Sequence, residues 1–179
     1  TTTRGMFNEA ESFNQPINDW NLSNVTNMQG MFYRALDFNQ PIGNWDVSNV
    51  IEMGVLFWGC MSFNQDITNW DVSNVIKMFN MFEHADSFNQ PIGIWDVNNV
   101  TDMSFMFSKN QAFNQDISSW DVSNVTNMRR MFRLSAHFNQ NLDSWNVNNV
   151  TDCNGFCYST PNWTLTKPSF SNCGDTECE

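Results

Sequence analysis

The chain has 179 residues, 41% of them hydrophobic and 15% aromatic, which excludes a disordered polymer and leaves room for a sizeable core. Nineteen acidic residues against eight Lys and Arg give a formal net charge of −11. That balance argues against nucleic acid and against an anionic membrane surface, both of which are bound through concentrated bases. The longest apolar runs are a few residues, so no membrane insertion is expected.

The chain opens in the middle of a pattern, because Thr1 to Phe7 align with Thr26 to Phe32. No leader segment is visible before Thr1, and no cap precedes the first unit. From Phe13 the pattern is explicit: Phe13, Phe38, Phe63, Phe88, Phe113 and Phe138 are spaced by 25 residues, and so are Trp20, Trp45, Trp70, Trp95, Trp120 and Trp145. A fixed period of this size signals an array in which each unit covers its neighbour's hydrophobic face.

Within one unit, Trp45-Asp46-Val47 alternates apolar and polar, the period of a short half-buried strand. Val50, Met53, Phe57 and Cys60 then fall at the spacing of a helix with one inward face. Asn49, with Asn24, Asn74, Asn99, Asn124 and Asn149, stands where a helix N-cap is expected. Phe-Asn-Gln-Pro/Asp-Ile reads as the turn into the next strand, and Pro16, Pro41 and Pro91 suit a site without a backbone donor. After residue 155 the pattern decays, and 156–179 reads as a C-terminal cap on a repeat domain spanning 1–155.

The repeat Ile-x-x-Trp-x-Val-x-x-Val-x-x-Met-x-x-Met-Phe-x-x-Ala-x-x-Phe resembles the BspA-like class of leucine-rich repeats. The wording Phe-Asn-Gln-Pro-Ile…Trp-Asp-Val-Ser-Asn-Val-Thr-Asn-Met more closely resembles a 25-residue repeat first noted as a domain of unknown function in mycoplasma surface lipoproteins. The resemblance covers residues 1–155 and implies a secreted or surface-displayed role in recognition or adhesion. The expected fold is α/β: a right-handed leucine-rich-repeat-like solenoid, with a short parallel sheet on one face and short helices on the other.

Candidate chemistry follows from the repeat. Asp46, Asp71, Asp96 and Asp121 occupy the outward strand position and, with Asn44, Asn69, Ser119 and Ser144, form an expected contact strip on the sheet face. The Asp row is a candidate for a divalent cation or a basic ligand; otherwise each Asp caps its own turn as an Asx motif. The Trp and Met columns read as core, and the Asn39-Gln40 equivalents as amide ladders. Cys60 reads as a buried thiol. Cys153, Cys157, Cys173 and Cys178 are expected to form two disulfides, with three pairings open and cross-pairing favoured over Cys153–Cys157; a four-cysteine zinc site is the rival. Disulfides imply an oxidising compartment. Asn21, Asn24, Asn99, Asn124, Asn149 and Asn162 are candidate N-glycosylation sites. His84 and His137 lie in different units with no nucleophile beside either, so no enzyme is expected. The bases Arg34, Lys77, Lys109, Arg129, Arg130 and Arg133 fall in the other half of the unit, polarising the array. The expected function is therefore binding of a protein or glycan partner at a cell surface or outside the cell. The alternatives are end-to-end self-association into a filament through the uncapped first unit, and binding to an ordered lattice such as ice.

Overall fold

The computed structural model describes residues 1–178; Glu179, the last residue of the expected cap, lies outside them. Units 25 residues long lie one on the next in register, joined by single parallel bridges in one column: Thr2 to Asn27, then Glu52, Lys77, Asp102, Asn127 and Asp152. Each bridge places one amide on the preceding coil and one on the following, as Ile51 N–H donates to Thr26 O and Met28 N–H to Glu52 O, both at 2.9 Å.

The expected α/β architecture is not what forms. Among the described residues there is no α-helix and no extended sheet, only the bridges and one 3-10 turn at Ile92–Ile94. Neither the expected helices nor the expected sheet at Trp45-Asp46-Val47 exists, and the bridges sit instead at Glu52 and its equivalents. The hydrogen bonds give the reason. From Met53 onward the N–H groups of Met53, Val55, Phe57 and Gly59 donate to Lys77, Phe79, Met81 and Glu83 of the next coil. The groups between them close turns within the coil, as Leu56 N–H donates to Met53 O and Trp58 N–H to Val55 O. A helix would spend all of these donors inside one segment; here they alternate between own coil and next coil.

That alternation requires two left-handed residues per coil, four apart. They are Gly5 and Glu9, Gly30 and Arg34, Val55 and Gly59, Asn80 and His84, Phe105 and Lys109, Arg130 and Leu134, and Gly155 and Ser159, with φ between 51° and 72°. A β-branched residue such as Val55, at φ 51°, tolerates this region poorly. Its presence shows that stacking outweighs local preference.

The core is a set of columns running along the stack. Phe32, Phe57, Phe82 and Phe107 follow one another at 5.7 Å between ring centroids. Each also stacks on the second phenylalanine of its own coil at 4.0 Å, as Phe57 does on Phe63. Trp70 is 3% exposed, and its indole N–H donates to Ile42 O of the coil before at 3.1 Å. Trp45, Trp95, Trp120 and Trp145 repeat the bond to Ile17, Ile67, Ile92 and Ile117. Trp20, in the first coil, has no such neighbour in the chain and is 38% exposed.

Side-chain amides stitch the outside. Asn39 Oδ1 accepts the N–H of Asn64 and the amide of Gln65, and the same contacts recur down the array. Asn49, with no helix to cap, donates its amide to Ser23 O of the preceding coil at 2.8 Å. Gly43 answers a close approach: a Cβ there would come within 2.3 Å of Asp66 O.

At the C-terminal end the stack is closed by a substitute strip. Gly155 and Cys157 donate to Asp175 O and Thr176 O, where a further coil would otherwise accept. Disulfides Cys153–Cys173 and Cys157–Cys178, with Cα atoms 5.6 and 4.7 Å apart, fasten that strip to the last full coil. Cys60 is a free thiol, buried, donating to Phe32 O. Its burial pushes the thiol pKa far up, which keeps it protonated and unreactive.

Candidate functional site

Superposing the coils separates positions that repeat from positions that do not. The Phe, Trp and Asn-Gln columns are constant because each contributes to a neighbour's packing or hydrogen bonds. Three columns on the turn segment vary without pattern. One runs Tyr33, Trp58, Glu83, Ser108, Arg133, Tyr158; the next Arg34, Gly59, His84, Lys109, Leu134, Ser159; the third Leu36, Met61, Asp86, Gln111, Ala136, Pro161. Most coil-to-coil bonds at these places are made by backbone atoms, with Trp58 Nε1–H to Glu83 Oε2 at 2.9 Å and Arg34 to Glu11 at 3.0 Å among the side-chain exceptions, so stacking leaves the side chain largely free. This face carries the chain's chemical variety.

Between the second and third of these columns the surface is grooved. A cavity of about 660 Å³ is lined by His84, Lys109, Gln111, Leu134, Ala136, Ser159 and Pro161. A smaller one of about 220 Å³, around Arg34, Leu36, Trp58, Gly59 and Met61, meets it at His84. Between the two walls stands a buried residue that is small or polar: Ala35, Cys60, Ala85, Asn110, Ser135 and Thr160.

The walls are charged unevenly. Arg34 crosses to Glu11 at 3.0 Å, and His84 Nδ1 lies 3.8 Å from Asp86 Oδ1. Burial is the larger influence on the Asp86 carboxyl and raises its pKa above the usual value; His84 opposes it. Further along, Arg130 lies over the Phe105 ring at 5.8 Å and Arg133 over Tyr158 at 5.9 Å. Among the described residues Lys109, Arg130 and Arg133 make no ion pair.

The strip expected from the sequence lies elsewhere on the coil. Asp46, Asp71, Asp96 and Asp121 are all exposed, and each has one carboxylate oxygen held by the residue two places on: Ser48 and Ser73 at 3.1 Å, Asn98 at 3.1 Å, Ser123 at 3.0 Å. These are Asx turns, which Asn21 and Asn146 make equally well. Asn44, Ser119 and Ser144 donate to carbonyls of the preceding coil; Asn69 is exposed. No group of three acids, histidines or cysteines converges as a metal site among the described residues.

The candidate glycosylation sites differ in availability. The amides of Asn99, Asn124, Asn149 and Asn162 donate to backbone carbonyls one coil back, whereas Asn21 acts through its oxygen alone. The hydroxyls of Thr26, Thr101, Thr126 and Thr151 are likewise turned to the preceding coil.

Sequence reasoning missed the groove. It followed the residues that recur, while the signal lay in the columns that do not.

Comparison with curated proteins gives no match, and comparison with solved structures gives none either. A family model does match, over residues 1–91 and again over 59–167. Together these spans take in every coil described above, and the chain belongs to the family described as Mycoplasma protein of unknown function, DUF285.

Proposed function

We propose that this chain is a non-enzymatic recognition protein, displayed on a cell surface or outside the cell, that grips a protein partner with the variable face of its turn segment. One observation carries the reading: a scaffold constant in its packing columns concentrates side-chain diversity on one face. Six of the eight bases, Arg4, Arg34, Lys109, Arg129, Arg130 and Arg133, belong to the same segment of the repeat, in a chain of net charge −11. Two disulfides suit an oxidising compartment. The apolar pattern of the repeat, which resembles the BspA-like class, and its wording, which resembles the 25-residue repeat of mycoplasma surface lipoproteins, support display. A protein fits better than a glycan, because the outer aromatics cover one another: Tyr33 and Trp58 stack at 4.6 Å and 11°, hiding faces a sugar ring would need.

The test is binding of the purified chain to an array of extracellular proteins, repeated with two variants. One carries Arg34→Glu, Lys109→Glu and Arg133→Glu; the other carries Asp46→Asn, Asp71→Asn, Asp96→Asn and Asp121→Asn. Loss of about tenfold or more in the first, with little change in the second, is expected. The reverse pattern refutes the assignment of the face.

A further inference from the structure

We infer that the open stretch of the groove, from His84 to Ser159, receives an extended acidic segment of the partner protein. Its carboxylates meet Lys109, and its aliphatic side chains rest on Leu134, Ala136 and Pro161. This rests on the recognition reading above and adds the identity of the occupant.

Shape, charge and lining point the same way. His84 and Ser159 are three coils apart. At about 4.8 Å per coil the stretch is about 14 Å long, room for about four extended residues at about 3.3 Å each. Upstream, Arg34–Glu11 and the His84–Asp86 contact bridge the walls and the groove narrows to the cavity of about 220 Å³, so its roomier stretch lies beyond His84. Lys109 stands in the open part without an acidic partner among the described residues, and the unpaired Arg130 and Arg133 lie on the adjoining coil. A chain of net charge −11 thus presents local positive charge at this cavity of about 660 Å³. Such a site attracts carboxylates and repels a basic segment. Apart from the His84 ring, the lining has no aromatic residue, so it offers aliphatic contact to a peptide and no platform to a sugar.

The experiment measures fluorescence anisotropy with labelled peptides of about ten residues alternating Leu–Glu, Leu–Gln or Leu–Lys. The acidic peptide is expected to bind about tenfold more tightly than the neutral one, and the basic one not measurably. Roughly 0.5 M salt should erase that difference. Lys109→Glu should abolish the preference for the acidic peptide. The first coil holds Glu9 at the equivalent place with φ 59°, so the backbone accepts that residue. Leu134→Glu should weaken the acidic and neutral peptides alike and provides an independent check. Equal binding of acidic and neutral peptides, an unaffected Lys109→Glu variant, or no binding of the acidic peptide overturns the inference. If the acidic peptide fails while the triple Glu variant still loses its partner protein, recognition by this face stands and the occupant is wrong. If the triple variant keeps its partner, the recognition reading itself falls.

Discussion

Gly59→Ala separates the turn stack from the helix that the apolar spacing suggests. In a helix interior the change stabilises by about 1 kcal/mol. In the structure Gly59 sits at φ 72°, where an alanine side chain costs about 1–2 kcal/mol. The reduced freedom of the unfolded chain returns about half of that. Space does not decide the matter, because a Cβ at Gly59 meets the Arg34 Cγ at an ordinary 3.5 Å. Its amide must also keep its bond to Glu83 O at 2.8 Å, which forbids escape to negative φ. The expected net loss is about 0.5–1 kcal/mol, a fall in Tm of about 1–4 °C for a chain of this size. Urea unfolding followed by tryptophan fluorescence, with the disulfides intact, reads it directly. A stabilised alanine variant would refute the left-handed turn and restore the helix.

Other perturbations test the remaining layers. Trp70→Phe removes a buried indole and its bond to Ile42 O and should cost about 2–3 kcal/mol in the same assay. Trp20→Phe, at an exposed indole with no hydrogen bond among the described residues, should stay within about 0.5 kcal/mol. Hydrogen bonds from Ser48, Thr68, Ser118 and Ser123 hold the carboxyls of Asp46, Asp66, Asp116 and Asp121 below their usual pKa. The unfolded chain binds these protons more readily, so the stabilisation is present above the unfolded value of 3.8 and fades as pH falls through the lower folded values. Replacing all four by Asn keeps the turns, as Asn21, Asn141 and Asn146 do natively, and should flatten the acid limb of stability against pH; superimposable limbs would contradict this. Cys173→Ser with Cys178→Ser opens loops spanning 20 and 21 residues, each worth about 3 kcal/mol. Hydrogen exchange should then accelerate first at Gly155 and Cys157, whose amides bond the cap.

The groove and the acidic row pose different electrostatic problems. The Asp carboxylates are exposed and turn-bound, so their charge is spread over solvent. Lys109 sits half-buried in a concave, partly apolar wall, where a complementary charge is screened less. That difference, more than the number of charges, makes the groove the stronger candidate for recognition.

The sequence by itself determined the period, the register and the identity of the inward residues. Those depend only on identical side chains meeting every 25 residues, and the buried columns of Phe, Trp, Val and Met follow directly. It also indicated that each Asp before a Ser would close its own turn. What only the tertiary structure decided is where the backbone hydrogen bonds go. Apolar residues three or four apart suit a helix, but they suit equally a string of turns closing every third residue, as Met53 to Leu56 and Phe57 to Cys60 do. Single-chain periodicity cannot separate the two, because the difference lies in whether alternate amides find acceptors in their own coil or in the next. Once a neighbour offers Lys77 O, Phe79 O and Met81 O in register, the coil gives up the helix, accepts Val55 at positive φ, and leaves the side chains that line the groove free to vary.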